Sequence, residues 1–126
     1  MNRTIFIIII SFILIGSLSA QLLENSRNKK GEIILKNPSI SNGILSFVSE
    51  TGGCTDKNSF KVRIEKDKKI GGFTHYRLTV ERINPDYCKA FFPEGILIRF
   101  DLEKDLGLKG NYTVSIVNRI ITGRKE

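Results

Sequence analysis

The sequence predicts an all-β fold: a small antiparallel β-sandwich, Ig-like in general form, with about six or seven strands and one disulfide. Three observations predict it. Short apolar runs recur from Gly31 to Ile121, separated by turn residues. Several runs alternate apolar and polar side chains with a period of two, as half-buried strands do. The chain also opens on an export signal, which places its two cysteines where thiols oxidise.

The signal is read from residues 1–20. Arg3 supplies a positive start, Ile5 to Ile15 an apolar centre, and Gly16-Ser17-Leu18-Ser19-Ala20 a zone of small residues. The apolar run is shorter than the roughly 20 residues a membrane span needs. Cleavage after Ser19 or Ala20 leaves a secreted or periplasmic chain of about 106 residues with no membrane span. Retention of the signal as an anchor is the alternative. Losing residues 1–20 removes one basic side chain and no acidic one, so the net charge falls from +7 to +6. That size supports one domain with a modest core. The charge favours solubility and weak attraction to anionic surfaces. Nucleic acid is not expected as a partner outside the cytosol. Cys54 and Cys88 are the only cysteines and enclose 33 residues. A bond between them stabilises a loop of that size by roughly 3–4 kcal/mol.

Gln21 to Lys30 is polar and reads as a flexible leader, the β domain as residues 31–122, and 123–126 as a polar tail. The first strand is Glu32 to Lys36, ended by Asn37-Pro38, with Ser41-Asn42-Gly43 turning the chain. The second is Ile44 to Ser49. The third, Ser59 to Lys66, puts Phe60, Val62 and Ile64 on one face and Lys61, Arg63 and Glu65 on the other. A charged loop, Asp67 to Gly72, leads to a fourth strand from Phe73 to about Ile83, with Tyr76, Leu78 and Val80 inward. The fifth runs from Ile96 to Leu102. Leu102 and Leu106, with Gly107 behind them, predict one helical turn. The sixth runs from Tyr112 to about Asn118, and Ile120-Ile121 is read as its extension.

The third and fourth strands are expected to pair as an antiparallel hairpin. Partner numbers summing to about 140 place Ile64 opposite Tyr76, Val62 opposite Leu78 and Phe60 opposite Val80, all on one face. The disulfide then staples the open end. On the other face Glu65 meets His75, and Arg63 meets Arg77. That like-charge pair is relieved by solvation, by an acidic neighbour such as Glu81 or Asp101, or by an anionic partner.

Candidate chemistry is sparse. His75 is the single histidine, and a general base needs a nucleophile and an orienting carboxylate beside it. No Gly-x-Ser-x-Gly turn accompanies it. His75 is therefore read as a partly exposed strand residue, and no catalytic residue is assigned. Asp101, Glu103 and Asp105 alternate but lack the glycine and closing glutamate of a calcium loop. They are read as a solvated turn. No metal and no cofactor is expected. Gly52 and Gly53 let the backbone bend toward Cys54, and Asp56 is placed to accept backbone hydrogen bonds there. Residues 85–95 form the longest loop and carry Tyr87, Phe91 and Phe92. The two phenylalanines are read first as a plug for one end of the sandwich, and second as exposed anchors for a partner. Asn111-Tyr112-Thr113 matches the N-glycosylation acceptor pattern of eukaryotic secreted proteins.

The runs Thr51-Gly52-Gly53-Cys54-Thr55-Asp56-Lys57 with Phe60, and Pro85-Asp86-Tyr87-Cys88 before Pro93-Glu94-Gly95, resemble small exported bacterial proteins of uncharacterised function. The likeness spans much of residues 45–118 and implies no functional residues. The expectation is a non-enzymatic binding or structural module. Its surface is either the basic hairpin face (Lys61, Arg63, Arg77) or the aromatic loop (Tyr87, Phe91, Phe92). Its partner is an anionic envelope surface or another extracytoplasmic protein. A secreted hydrolase inhibitor acting through loop 85–95 is the alternative, and a small hydrolase using His75 is the third reading.

Overall fold

A computed structural model describes residues 27–67 and 71–123. The expected signal peptide, the first part of the leader, residues 68–70 and the last three residues lie outside the described residues. Eight strands form among the described residues: β1 (Gly31–Glu32), β2 (Leu35–Ser41), β3 (Ile44–Ser49), β4 (Phe60–Lys66), β5 (Thr74–Arg82), β6 (Ile96–Asp101), β7 (Tyr112–Ile116) and β8 (Ile120–Ile121). They make two four-stranded sheets. In one, β5 pairs with β4 along one edge and with β7 and β1 along the other; the second has the order β6-β3-β2-β8.

The inward residues of the two sheets form one core. Phe60, Val62, Leu78 and Val80 face Leu35, Leu45, Phe47, Ile98 and Phe100, and all are buried. The edge of the Phe47 ring meets Phe60 of the opposing sheet at 5.4 Å, a favoured aromatic geometry, and Phe47 also stacks on Phe100 at 6.4 Å. The alternation that marks β4 in the sequence is thus the alternation between core and water, and β3 likewise buries Leu45 and Phe47 on one face.

The sheets are mixed, not wholly antiparallel. β7 runs parallel to β5, and β8 runs parallel to β2. Parallel neighbours need a long crossover, and here the chain supplies one by visiting β6 in the opposite sheet. The N-terminal segment changes sheets between β1 and β2, and the C-terminal segment between β7 and β8. Ile120-Ile121 is therefore a separate strand in the other sheet, not an extension of β7.

Both segments cross over at one corner, and Asn118 closes it. β7 serves β5 as far as Leu78, and β1 resumes at Glu81. The backbone of Val80 lies in the gap. The buried Asn118 side chain accepts the Val80 N–H at 2.8 Å and donates to the carbonyls of Val80 and Ile33, each at 2.8 Å. A side-chain amide thus stands in for a missing strand residue.

Other local departures have physical causes. β2 continues through Asn37-Pro38, which forms a bulge with Asn37 at φ +48° rather than a strand end. A bulge tolerates proline, whose missing N–H leaves no ladder bond broken. Asn42 and Gly43 both have positive φ, as a tight two-residue hairpin turn demands. The segment after β6 is, by contrast, the single turn expected, closed by hydrogen bonds from residue i to i−4. Asp105 N–H donates to Asp101 O, Gly107 N–H to Glu103 O, and Gly107 closes it at φ +73°.

The β4–β5 ladder pairs residues whose numbers sum to 142, not 140: Phe60 with Arg82, Val62 with Val80, Ile64 with Leu78 and Glu65 with Arg77. A shift of two keeps every apolar residue on its face but replaces each partner. Arg63 lies opposite Thr79 rather than Arg77, and Arg77 lies opposite Glu65. Arg82 shares the inward face of Leu78 and Val80 in either register, and the shift sets it opposite Phe60.

Candidate functional site

One end of the sandwich is organised around a carboxylate. Asp86 is fully buried. Its Oδ2 accepts hydrogen bonds from Thr55 Oγ1 (2.6 Å), Gly52 N–H (2.8 Å), Thr51 Oγ1 (2.9 Å) and Cys54 N–H (3.2 Å), and its Oδ1 accepts the Cys88 N–H at 3.0 Å. Burial alone pushes this carboxyl toward its neutral form. The donors, Thr55 first among them, overcome that and hold it well below the usual carboxylate range. The Cys54–Cys88 disulfide, with Cα atoms 5.7 Å apart, ties the same two segments covalently. Gly52 is required by close approach: a Cβ there would lie 1.8 Å from the Cys88 carbonyl oxygen. Asp56, expected to serve this turn, instead caps the short 3-10 turn at Lys57–Ser59, its N–H donating to Ser59 Oγ at 3.0 Å.

Arg82 sits beside this cluster at the end of the core and is 3% exposed. Its guanidinium lies 4.6 Å from the centre of the Phe60 ring. Nη2 donates to Ser49 Oγ across the sandwich, and Nη1 donates to Thr55 Oγ1 and Asn84 O. Thr55 therefore links Arg82 to Asp86 through one hydroxyl. Burial lowers the Arg82 pKa from its ordinary value and Arg27 adds to that, while Asp86 and Glu50 oppose it. Nε has no hydrogen-bond partner among the described residues.

Loop 85–95 leaves this cluster and returns to β6. It is fixed at its start by Asp86 and the disulfide, and by Ala90 N–H donating to Gly52 O at 2.9 Å. Near its end the Gly95 N–H donates to Phe92 O at 3.0 Å. Gly95 has φ +69° and packs where a Cβ would meet Ser49 O at 2.6 Å. From this base the aromatics point outward: Phe91 is 88% exposed, Tyr87 71% and Phe92 50%. The reading of Phe91 and Phe92 as a core plug is therefore corrected. Arg82, Phe60 and Ser49 already close that end, so the phenylalanines find no apolar cavity to fill. Phe91 and Phe92 line a groove of about 320 Å³ with Arg27, Lys36 and Glu50.

The hairpin's outer face is not a free cationic surface. Arg63 pairs with Glu81 at 3.0 Å and with Glu65 at 3.6 Å; Arg77 pairs with Glu65 at 2.5 Å and with Asp67 at 3.5 Å. Lys61 lies opposite Glu81 in the ladder. The like-charge contact anticipated between Arg63 and Arg77 does not form, and each arginine has carboxylates instead.

His75 is half-buried on β5, and both ring nitrogens are engaged by the neighbouring β7: Nδ1 with Thr113 Oγ1 at 2.7 Å and Nε2 with Ser115 Oγ at 2.9 Å. An orienting carboxylate is replaced here by a threonine hydroxyl. The acidic turn reads as expected: Asp101 Oδ1 accepts the Glu103 and Lys104 N–H groups, and Asp105 accepts the Asp101 N–H and pairs with Lys57. Cys54, Asp86 and Cys88 lie together as three side chains that could ligate a metal. Their donor set does not fit one, because both sulfurs are in the disulfide and the carboxylate oxygens already accept five hydrogen bonds. No helix among the described residues is long and apolar enough to cross a membrane.

Asp86 and Arg82 escaped the sequence reading. The available signal was parity: Arg82 continues Tyr76, Leu78 and Val80 on the inward face, and Asp86 lies two residues before Cys88. No protein-family model, curated protein or solved structure matches the chain.

Proposed function

We propose that this chain is an exported, non-enzymatic binding module that docks on another extracytoplasmic protein through loop 85–95. The observation that carries this reading is Phe91, 88% exposed on a loop anchored by a disulfide and a buried carboxylate. An aromatic side chain held in water by a stiff base loses little conformational freedom on binding and offers a large apolar area to a pocket. Export to an oxidising compartment is supported by the Cys54–Cys88 bond. The paired arginines of the hairpin face argue against that face as an anion-binding surface, because both already pair with carboxylates.

The test is capture from native envelope or secretion fluid by the exported, oxidised protein, alongside the Phe91→Ala/Phe92→Ala variant. A specific protein retained by the parent and depleted at least tenfold with the variant supports the reading. Equal retention by both rejects it. Both side chains are largely exposed, so the variant keeps the fold, and a thermal melt checks this. The bracing of the loop also favours one narrower reading, insertion into the cleft of an extracytoplasmic hydrolase. That reading requires the captured partner to be a hydrolase whose activity falls on binding.

A further inference from the structure

A second groove lies beside the first, and it differs in chemistry. Its volume is about 500 Å³, within the range of roughly 300–1,000 Å³ common to small-molecule sites. Arg27, Lys29, Lys36 and Arg82 line it, against the carboxylates of Glu32 and Glu50, so it carries an excess of positive charge. Its apolar wall is Ile33, Ile34 and Ile121. Ile34 and Ile121 remain about half exposed. Arg82 is the most buried charged side chain in the lining, and its three hydrogen bonds go to neutral oxygens of Ser49, Thr55 and Asn84. Its Nε–H has no partner among the described residues. A guanidinium in the lining that is bonded only to neutral oxygens keeps its positive charge available to an anion brought to that end of the groove.

We infer that this groove binds an anionic amphiphile: a carboxylate seated toward the Arg82 end, with an unbranched hydrocarbon tail along the isoleucines. The apolar wall separates this class from a free inorganic anion, which would leave Ile34 and Ile121 in water. The cations separate it from a neutral lipid. The wall owes its form to the sheet switch, because Ile33 and Ile34 join β1 to β2 while Ile121 arrives on the parallel β8. The site is independent of the aromatic loop and neither needs nor excludes a protein docked on Phe91.

The test titrates the exported, oxidised protein with a series of sodium alkanoates from six to twelve carbons. Dodecyltrimethylammonium serves as the matched cation, and binding is followed by calorimetry or amide chemical shifts. Saturable binding is expected, tightening about fourfold for each methylene that seats on the wall. The cation should bind at least tenfold more weakly than the twelve-carbon carboxylate. Ile34→Asp and Lys29→Glu/Lys36→Glu should each weaken that carboxylate tenfold or more. Phe91→Ala/Phe92→Ala should leave it unchanged, which separates this site from the loop. The replaced side chains at 29, 34 and 36 are exposed, so these variants keep the fold. Affinity independent of chain length, equal binding of the cation, or no saturation overturns the inference.

Discussion

Replacing Asp86 with asparagine tests the organisation of the loop end most directly. Five donors converge on the Asp86 carboxylate, four on Oδ2 and one on Oδ1. Asparagine has the same shape but one acceptor oxygen and an NH₂ group. With that oxygen placed on the four donors, their bonds survive without charge assistance, and the Cys88 N–H faces an amide donor. A hydrogen bond to a charged group contributes about 1.5–3 kcal/mol and a neutral one about 1; an unmet buried N–H costs about 1–3. Lower desolvation of the amide offsets part of this. The expected loss is about 3–5 kcal/mol at pH 7, a large part of the total for a domain of this size. At roughly 4–8 °C per kcal/mol, the melting temperature falls by about 12 °C or more.

The pH dependence supplies the control. The folded-state pKa of Asp86 is depressed below its unfolded value, so its contribution is fully present above about pH 4 and is lost as pH falls toward the folded value. Each pH unit below about 4 removes roughly 1.4 kcal/mol from the parent through this group. The amide of the variant does not titrate. The gap between parent and Asp86→Asn, measured by urea unfolding from pH 7 to pH 2, should therefore stay constant to about pH 4.5 and then narrow. Comparing the two proteins cancels the other carboxylates. A variant within 1 kcal/mol of the parent at pH 7, or a gap that does not narrow in acid, would refute the account.

Further expectations concern the corner, the glycine, the disulfide and the surface. Asn118→Ala strands the Val80 N–H and removes a donor from the Ile33 and Val80 carbonyls; a loss of about 2–4 kcal/mol in urea unfolding is expected, and less than 1 would show that water replaces the amide. Gly52→Ala drives a Cβ into the Cys88 carbonyl and should lower the melting temperature far more than Gly107→Ala, which meets nothing within 4 Å; equal shifts would contradict the close approach. Reduction of Cys54–Cys88 should cost roughly 3 kcal/mol at the urea midpoint, and an unchanged midpoint would leave the bond without a stabilising role. Arg77→Gln removes only exposed ion pairs and should change stability by about 1 kcal/mol or less in a thermal melt, whereas a larger loss would mean that the outer face is a coupled network.

Much of the architecture is local in origin and so was legible in the chain. Alternation in Phe60–Lys66 specifies which side chains face inward, because successive side chains on a strand point to opposite faces. Asn42-Gly43 specifies its turn because both positions need positive φ. The cysteine pair was legible because a chain with two cysteines has one way to pair them. Parity alone cannot distinguish a ladder from the same ladder shifted by two, and there the reading failed. What separates the two is how the distant segments meet, and in the observed register Glu65 lies opposite Arg77.

What the amino-acid order determined by itself was the β class, the inward faces and the cysteine bond, since each follows from neighbours a few residues apart or from there being two cysteines to pair. Only the tertiary structure decided that Asp86 sits buried beneath five donors, that Arg82 closes the core, and that Phe91 stands in water. Each of those depends on segments distant in the chain meeting at one end of the sandwich. The free energy of a buried charge or an exposed ring is set by that meeting, which no local pattern records.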